Sequence, residues 1–181
     1  MVPIGPKIMI TTSNRPSDNS NIFAKLLQHV IPNSQVIRRG RKSLQDLWNS
    51  AVSQNFQYIY LIYTKQNKVS NLEINEVTKD GLITERVQLE IKEYIDHKIF
   101  GFSRLPGKSP MSTTREVRAE NPQLIDFFIK YFHVSINTKN SIWMMLDKSD
   151  ESYCYIQFVD ALSLRKIFFA KVKIMQKGKK T

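Results

Sequence analysis

The sequence predicts an α/β (α+β) fold of two halves, residues 1 to about 95 and about 96 to 176, with a basic tail over 177–181. Apolar runs alternate strand, helix, strand, helix, strand as far as residue 63, and a hairpin pattern follows. One long apolar helix ahead of three strands then marks the second half. The first half is expected to carry a mainly parallel sheet, the second a mixed or antiparallel one.

Residues 7–13 form a short run of β-formers closed by Asn14, Arg15, Pro16 and Ser17, which read as a turn. From Asn21 the apolar residues Ile22, Phe23, Leu26, Leu27, Val30 and Ile31 recur at helical spacing until Pro32 and Asn33 break the pattern. Gln35, Val36 and Ile37 make a second short strand that runs into the basic turn Arg38, Arg39, Gly40, Arg41, Lys42. Ser43 and Asp46 have the spacing of a capping box, after which Leu44, Leu47, Trp48, Ala51 and Val52 line one helical face. Residues 58–63, six β-formers without a polar interruption, predict a strand covered on both faces.

The chain continues with residues 71–77 and 83–92 as a hairpin turning at Asp80 and Gly81, which extends the first sheet. Residues 97–118 show no sustained period and read as the connection between halves. Asn121 and Pro122 supply an N-cap and a favoured first-turn proline for a helix apolar on most of its circumference, hence largely buried. Residues 142–146, 153–159 and 166–174 are the three closing strands. On the last, Phe168, Ala170, Val172 and Ile174 share the core face, and Phe169, Lys171 and Lys173 share the other.

Composition narrows the function. Among 181 residues, 27 Lys and Arg stand against 16 Asp and Glu, a formal charge of +11 that calls for an anionic partner. Six Gly, seven Pro and 41% hydrophobic residues describe a folded domain and exclude collagen-like or disordered chains. The longest apolar stretches fall far short of the roughly 20 residues that span a bilayer, so no membrane partner is expected. No basic segment precedes a long apolar core near residue 1, and the single Cys154 has no bridging partner, so it is expected to pack as a small hydrophobe. A cytoplasmic location follows as the expectation.

If the first three strands are parallel, their C-terminal ends share one sheet edge, where open α/β sheets bind ligands. Arg15 follows the first strand, Arg38, Arg39, Arg41 and Lys42 the second, and Lys65 and Lys68 the third. Two of these turns lead into helix N-termini, and Ser13, Ser17 and Ser43 add donors, so the edge is expected to hold phosphate. A chain this basic also places cations near any edge by composition alone, and the Ser43 cap is structural on either reading.

The block Ile10, Thr11, Thr12, Ser13, Asn14, Arg15, Pro16, Ser17, followed by Phe23, by Ile31, Pro32, Asn33, and by Arg39 to Leu47, resembles the Brix-domain family. The likeness is to its short archaeal members and covers roughly residues 7–70. Residues 39–47 are similar to the stretch of the family that is compared with a sigma-factor-like motif. The resemblance implies two similar α/β halves related to anticodon-binding domains of some aminoacyl-tRNA synthetases. It also implies a non-catalytic protein that binds (pre-)ribosomal RNA, assists rRNA processing and subunit assembly, and meets other assembly factors. The chain departs from the family pattern at Asn19, Ser20 and Asn21, where relatives often place arginine. It departs again at Lys65, Gln66, Asn67, Lys68, in place of a Lys-Gly-Asn-Pro turn.

Other chemistries fit the sequence less well. Residues 101–109 mimic a P-loop, but five residues separate Gly101 from Gly107 where the motif has four, and Pro110 opposes the required helix. Arg104 and Lys108 remain candidates for secondary RNA contacts. Phe169, Lys171 and Lys173 are further candidates, since an aromatic flanked by lysines can stack a base; lysines blunting a solvated strand give the same pattern. Lys177, Lys179 and Lys180 add non-specific phosphate affinity. His29, His97 and His133 lack partners at metal-ligand spacing and read as surface or helix-end residues. Asp126, Asp147, Asp150, Glu151 and Asp160 match no carboxylate motif, so no metal, cofactor or catalytic residue is expected and a monomer suffices. A metal-dependent nuclease and a protein-interaction scaffold stand as alternatives, the second separable from RNA binding by its weaker salt dependence.

Overall fold

The computed structural model describes residues 5–80, 83–101, 110–137, 139–147 and 153–176. Ten strands and four α-helices among them give a mixed α/β fold. The chain divides into two compact units: Met1–Gln28, Asn33–Glu90 and Ile174–Thr181 form one, His29–Pro32 and Ile91–Lys173 the other.

The first unit opens with β1 (Ile8–Thr12), all five residues buried. The turn after it ends at Ser17, whose Oγ accepts the Ser20 N–H at 3.2 Å and so caps α1 (Asp18–Val30). Phe23, Leu26 and Leu27 give α1 its buried stripe. After β2 (Ser34–Val36), α2 (Leu44–Ser53) begins with the expected capping box: Ser43 Oγ accepts the Asp46 N–H, and the Asp46 carboxylate accepts the Ser43 N–H. β3 (Tyr58–Lys65), β4 (Lys68–Val77) and β5 (Ile83–Ile95) follow. Leu47, Trp48 and Ala51 of α2 pack with Met9, Ile59 and Leu61 in one apolar cluster. Ile8, Ile10, Tyr60 and Ile62 point to the opposite face by alternation and are also buried, so β1 and β3 are covered on both sides.

The strand order is β2-β1-β3-β4-β5. β1 runs parallel to β2 and β3, whereas β3 with β4 and β4 with β5 are antiparallel. The expectation of a mainly parallel sheet is therefore corrected to a mixed one. The reason is local: β3 and β4 are joined by only Gln66 and Asn67, and a two-residue connection permits only an antiparallel return.

The second unit contains β6 (Met111–Thr113), α3 (Arg115–Glu120), α4 (Pro122–Phe132), β7 (Ser135–Ile136), β8 (Ile142–Asp147), β9 (Cys154–Asp160) and β10 (Lys166–Gln176). Part of the supposed connection is thus structured. Asn121 caps α4 by accepting the Leu124 N–H at 3.1 Å, and Leu124, Ile125, Phe127, Phe128, Tyr131 and Phe132 are buried, as the apolar circumference demanded. Strands are ordered β7-β6-β8-β9-β10, with β6 parallel to β7 and β8 and the remaining pairs antiparallel.

This order repeats that of the first unit strand for strand. The repeat differs at one place among the described residues: where α2 lies between β2 and β3, only residues 137–141 separate β7 from β8. No helix among the described residues is long and apolar enough to cross a membrane.

Candidate nucleic-acid interface

β1 lies between β2 and β3 and parallel to both, so the three basic turns leave the same edge of the first unit's sheet. Backbone bonds continue past the strand ends and hold the turns level. Ile37 N–H donates to the Ile10 carbonyl at 2.9 Å, and Ser13 N–H to the Ile62 carbonyl at 3.1 Å.

The first turn presents an exposed Arg15 between Ser13 and Ser17. Ser17 spends its oxygen as the α1 cap acceptor, which leaves its proton to donate. The second turn closes through the Lys42 N–H donating to the Arg39 carbonyl at 3.2 Å. Gly40 sits there at φ +58, a conformation that side-chain-bearing residues rarely adopt. Arg39 Nε donates to the Lys42 carbonyl at 3.1 Å, so its guanidinium is held in place with both terminal amino groups left to donate.

Ser43, by contrast, is committed. Its hydroxyl donates to Asp46 at 2.7 Å while accepting the Asp46 N–H at 3.1 Å, which leaves its hydroxyl no proton for a phosphate. The Ser43 hydroxyl and backbone N–H, and then Lys42, hold the Asp46 carboxyl below its ordinary pKa.

The third group is the tip of the β3–β4 hairpin. Gln66 and Asn67 both have positive φ, 50 and 61, as a two-residue turn of type I′ requires. Lys65 and Lys68 stand directly opposite each other across the strands, both exposed. Such like-charged pairing is unfavourable by itself. Asn19, one of the positions that depart from the family pattern, donates its side-chain N–H to the Asn67 carbonyl at 2.9 Å. It thereby ties the start of α1 to the hairpin tip.

Among the described residues, none of these seven cations has a carboxylate within salt-bridge distance. One strand spacing of ~4.8 Å separates neighbouring turns, well within the Debye length of about 8 Å at physiological salt, so adjacent turns act together. The edge is an open surface. A cavity of about 1000 Å³ lies at the other end of the same strands, lined by residues including Lys7, Phe56, Tyr58 and Glu76.

On β10, Phe169 and Lys171 are half-buried and Lys173 is exposed, while Phe168, Ala170 and Val172 are buried, as alternation requires. Sequence reasoning missed the neighbours of this group. The Tyr155 ring stacks on Phe169 at 5.7 Å between centroids, and Lys171 Nζ donates to the Tyr155 hydroxyl at 2.8 Å. Only the β9–β10 register reveals these partners, because Tyr155 and Lys171 are far apart in the chain.

Arg104, Lys108, Lys177, Lys179, Lys180, Asp150 and Glu151 lie outside the described residues, as does most of the P-loop-like segment. His29 and His133 close α1 and α4, the latter in the left-handed region, and burial pushes the His133 pKa below 6.5. His97 is buried. Cys154 is only half-buried, and its Sγ accepts from the Asn121 side chain at 3.0 Å, so it is more than a packed hydrophobe. Asp126 pairs with Arg118 at 2.9 Å, and Asp160 accepts the Ser163 N–H at 3.0 Å. No three His, Cys, Asp or Glu side chains among the described residues are placed to hold a metal.

No family model matches the chain. A protein described as a probable Brix domain-containing ribosomal biogenesis protein from Pyrococcus horikoshii is 36% identical over 55 residues, 30% of this chain and 25% of the relative. Ribosome production factor 1 from Xenopus laevis is 38% identical over 66 residues, 36% of this chain and 19% of the relative. The matched stretch thus spans about a quarter or less of these relatives' length. The crystal structure of a probable ribosomal biogenesis protein from Aeropyrum pernix superposes with a TM-score of 0.74. It covers 97% of this chain and 98% of its own at 17% identity, which establishes the shared fold. In sequence over one stretch and in fold over nearly its whole length, the chain is like the archaeal Brix-type ribosome biogenesis proteins.

Proposed function

We propose that the chain is a non-catalytic RNA-binding protein of ribosome biogenesis. It holds ribosomal RNA or its precursor by phosphate contacts and assists rRNA processing and subunit assembly. The observation that carries this reading is the strand-end edge of the first unit, where Arg15, Arg38, Arg39, Arg41, Lys42, Lys65 and Lys68 follow three parallel strands with no salt-bridge partner among the described residues.

Phosphate contacts position a nucleic acid without reading its bases. The edge therefore recognises the shape of a folded RNA, and Ser13 and Ser17 add neutral donors to it. Ser43 contributes indirectly, by fixing the start of α2 beside the second turn.

Purified protein is expected to bind structured ribosomal RNA, with affinity that falls steeply as salt rises, and to leave it intact. Magnesium-dependent cleavage abolished by Asp147→Asn or Asp160→Asn would overturn the non-catalytic assignment. Affinity independent of salt would instead favour a protein partner.

A further inference from the structure

Among the described residues, one face of the second unit's sheet lacks the helix that covers its counterpart in the first. Met9 pairs in register with Ile59 on the face covered by α2, and Ser112 pairs with Trp143 at the matching place in the second unit. Ile59 and Leu61 are 0% and 1% exposed; Trp143 is half-buried and Met145 is 38% exposed. Across β9 and β10 the same row continues through Gln157, Tyr155 and Phe169.

This face is aromatic and cationic at once. Lys171 Nζ lies 4.8 Å from the Tyr155 ring centroid and 5.3 Å from that of Tyr153. Lys92 and Lys173 approach Tyr153 at 5.0 and 5.8 Å, and Lys166 approaches Phe169 at 5.7 Å.

We infer that this face is a second RNA site, a platform on which unpaired nucleotides stack while the lysines take their phosphates. The inference rests on the RNA-binding reading above and adds to it the class of RNA taken by the second unit. Aromatic rings side by side on adjacent strands accept any base on their π-faces, and base stacking needs a strand free of pairing. Charge separates this occupant from an apolar helix docked in place of the missing one. Lys92, Lys166, Lys171 and Lys173 ring the aromatic side chains and complement a polyanion, whereas an apolar helix would strip them of water without offering a counter-charge. The two units thus divide the work: the first holds phosphates of folded RNA, the second holds a single strand.

The test compares an unstructured ten-nucleotide RNA with a duplex of equal length, using full-length protein. Tyr155→Leu with Phe169→Leu is expected to weaken the single strand roughly fivefold or more per lost ring and to leave the duplex unchanged. Arg39→Ala with Arg41→Ala should do the reverse. Single-stranded RNA should quench the fluorescence of Trp143, a signal absent from Trp143→Phe, and this readout in the otherwise native protein decides the matter if the leucine variant fails to fold. Undiminished single-strand affinity in a folded leucine variant, or a silent Trp143, overturns the platform while duplex binding leaves the strand-end site standing. Failure of the native protein to bind either RNA overturns both readings. A glutamate-rich amphipathic peptide that quenches Trp143 where RNA does not would assign the face to a protein partner instead.

Discussion

Replacing Arg39 and Arg41 together by alanine probes the strand-end edge most directly. Both flank Gly40 in a turn closed by the Lys42 N–H, and Arg39 is further held by its bond to the Lys42 carbonyl. A free arginine side chain carries about 2 kcal/mol of rotamer entropy, part of which Arg39 has surrendered before RNA arrives. Each lost phosphate contact should lower the slope of log affinity against log salt by roughly 0.7 to 0.9, so the pair should lower it by about 1.4 to 1.8. Arg39→Ala alone should weaken binding more than Arg41→Ala, because Arg39 loses less entropy on binding. Fluorescence anisotropy with a labelled rRNA fragment between roughly 50 and 200 mM salt resolves such a change, since several contacts span orders of magnitude in affinity over that range. Trp48, buried in the α2 cluster, reports whether the variant is folded. A folded double variant with the native slope would refute the argument and place the RNA elsewhere.

Three further outcomes are expected. Gly40→Ala should cost about 1 kcal/mol, read by denaturant unfolding, because a Cβ there meets open space and only the φ of +58 is strained. Gly40→Asn should cost less, since asparagine tolerates that region; equal costs would mean that the strain argument is wrong. Ser43→Ala should cost about 1 kcal/mol by removing the α2 cap, with Ser43→Thr retaining most of it, both read as shifts in thermal unfolding. His133 has its pKa lowered by burial, so below about 6.5 the unfolded chain binds a proton that the folded one resists, and stability falls as pH drops through that window. His133→Asn, which keeps a residue tolerant of the left-handed cap, should flatten the decline between roughly pH 7 and 5.5. An unchanged decline would mean that another group is responsible.

What could be read from the sequence was local. The capping box at Ser43 and Asp46, the Asn121 cap and the alternation of β10 each depend on residues within four positions, and the structure shows all three. The resemblance marks residues 65–68 as a turn, but not as a two-residue hairpin, because glycine, the usual signature of two positive φ angles, is absent there. β6 and β7, with three and two residues, are too short to display a period. α3 buries no residue, so it has no apolar stripe to betray it; its only signal is Thr114, whose hydroxyl accepts the Val117 N–H. The strand-end edge was legible because parallel topology follows from strand-helix alternation. The ring partners of Phe169 were not, because register between distant strands leaves no mark in either one.

The hairpin tip also sets a limit on engineering. Two lysines facing each other across a tight turn waste an opportunity that Lys68→Glu would seize, turning a repulsive cross-strand pair into an attractive one. Design for heat tolerance would be drawn to that substitution first. It would also reverse one charge on the surface we propose for RNA, and on that proposal selection for a sturdier fold and selection for a working one pull this residue in opposite directions.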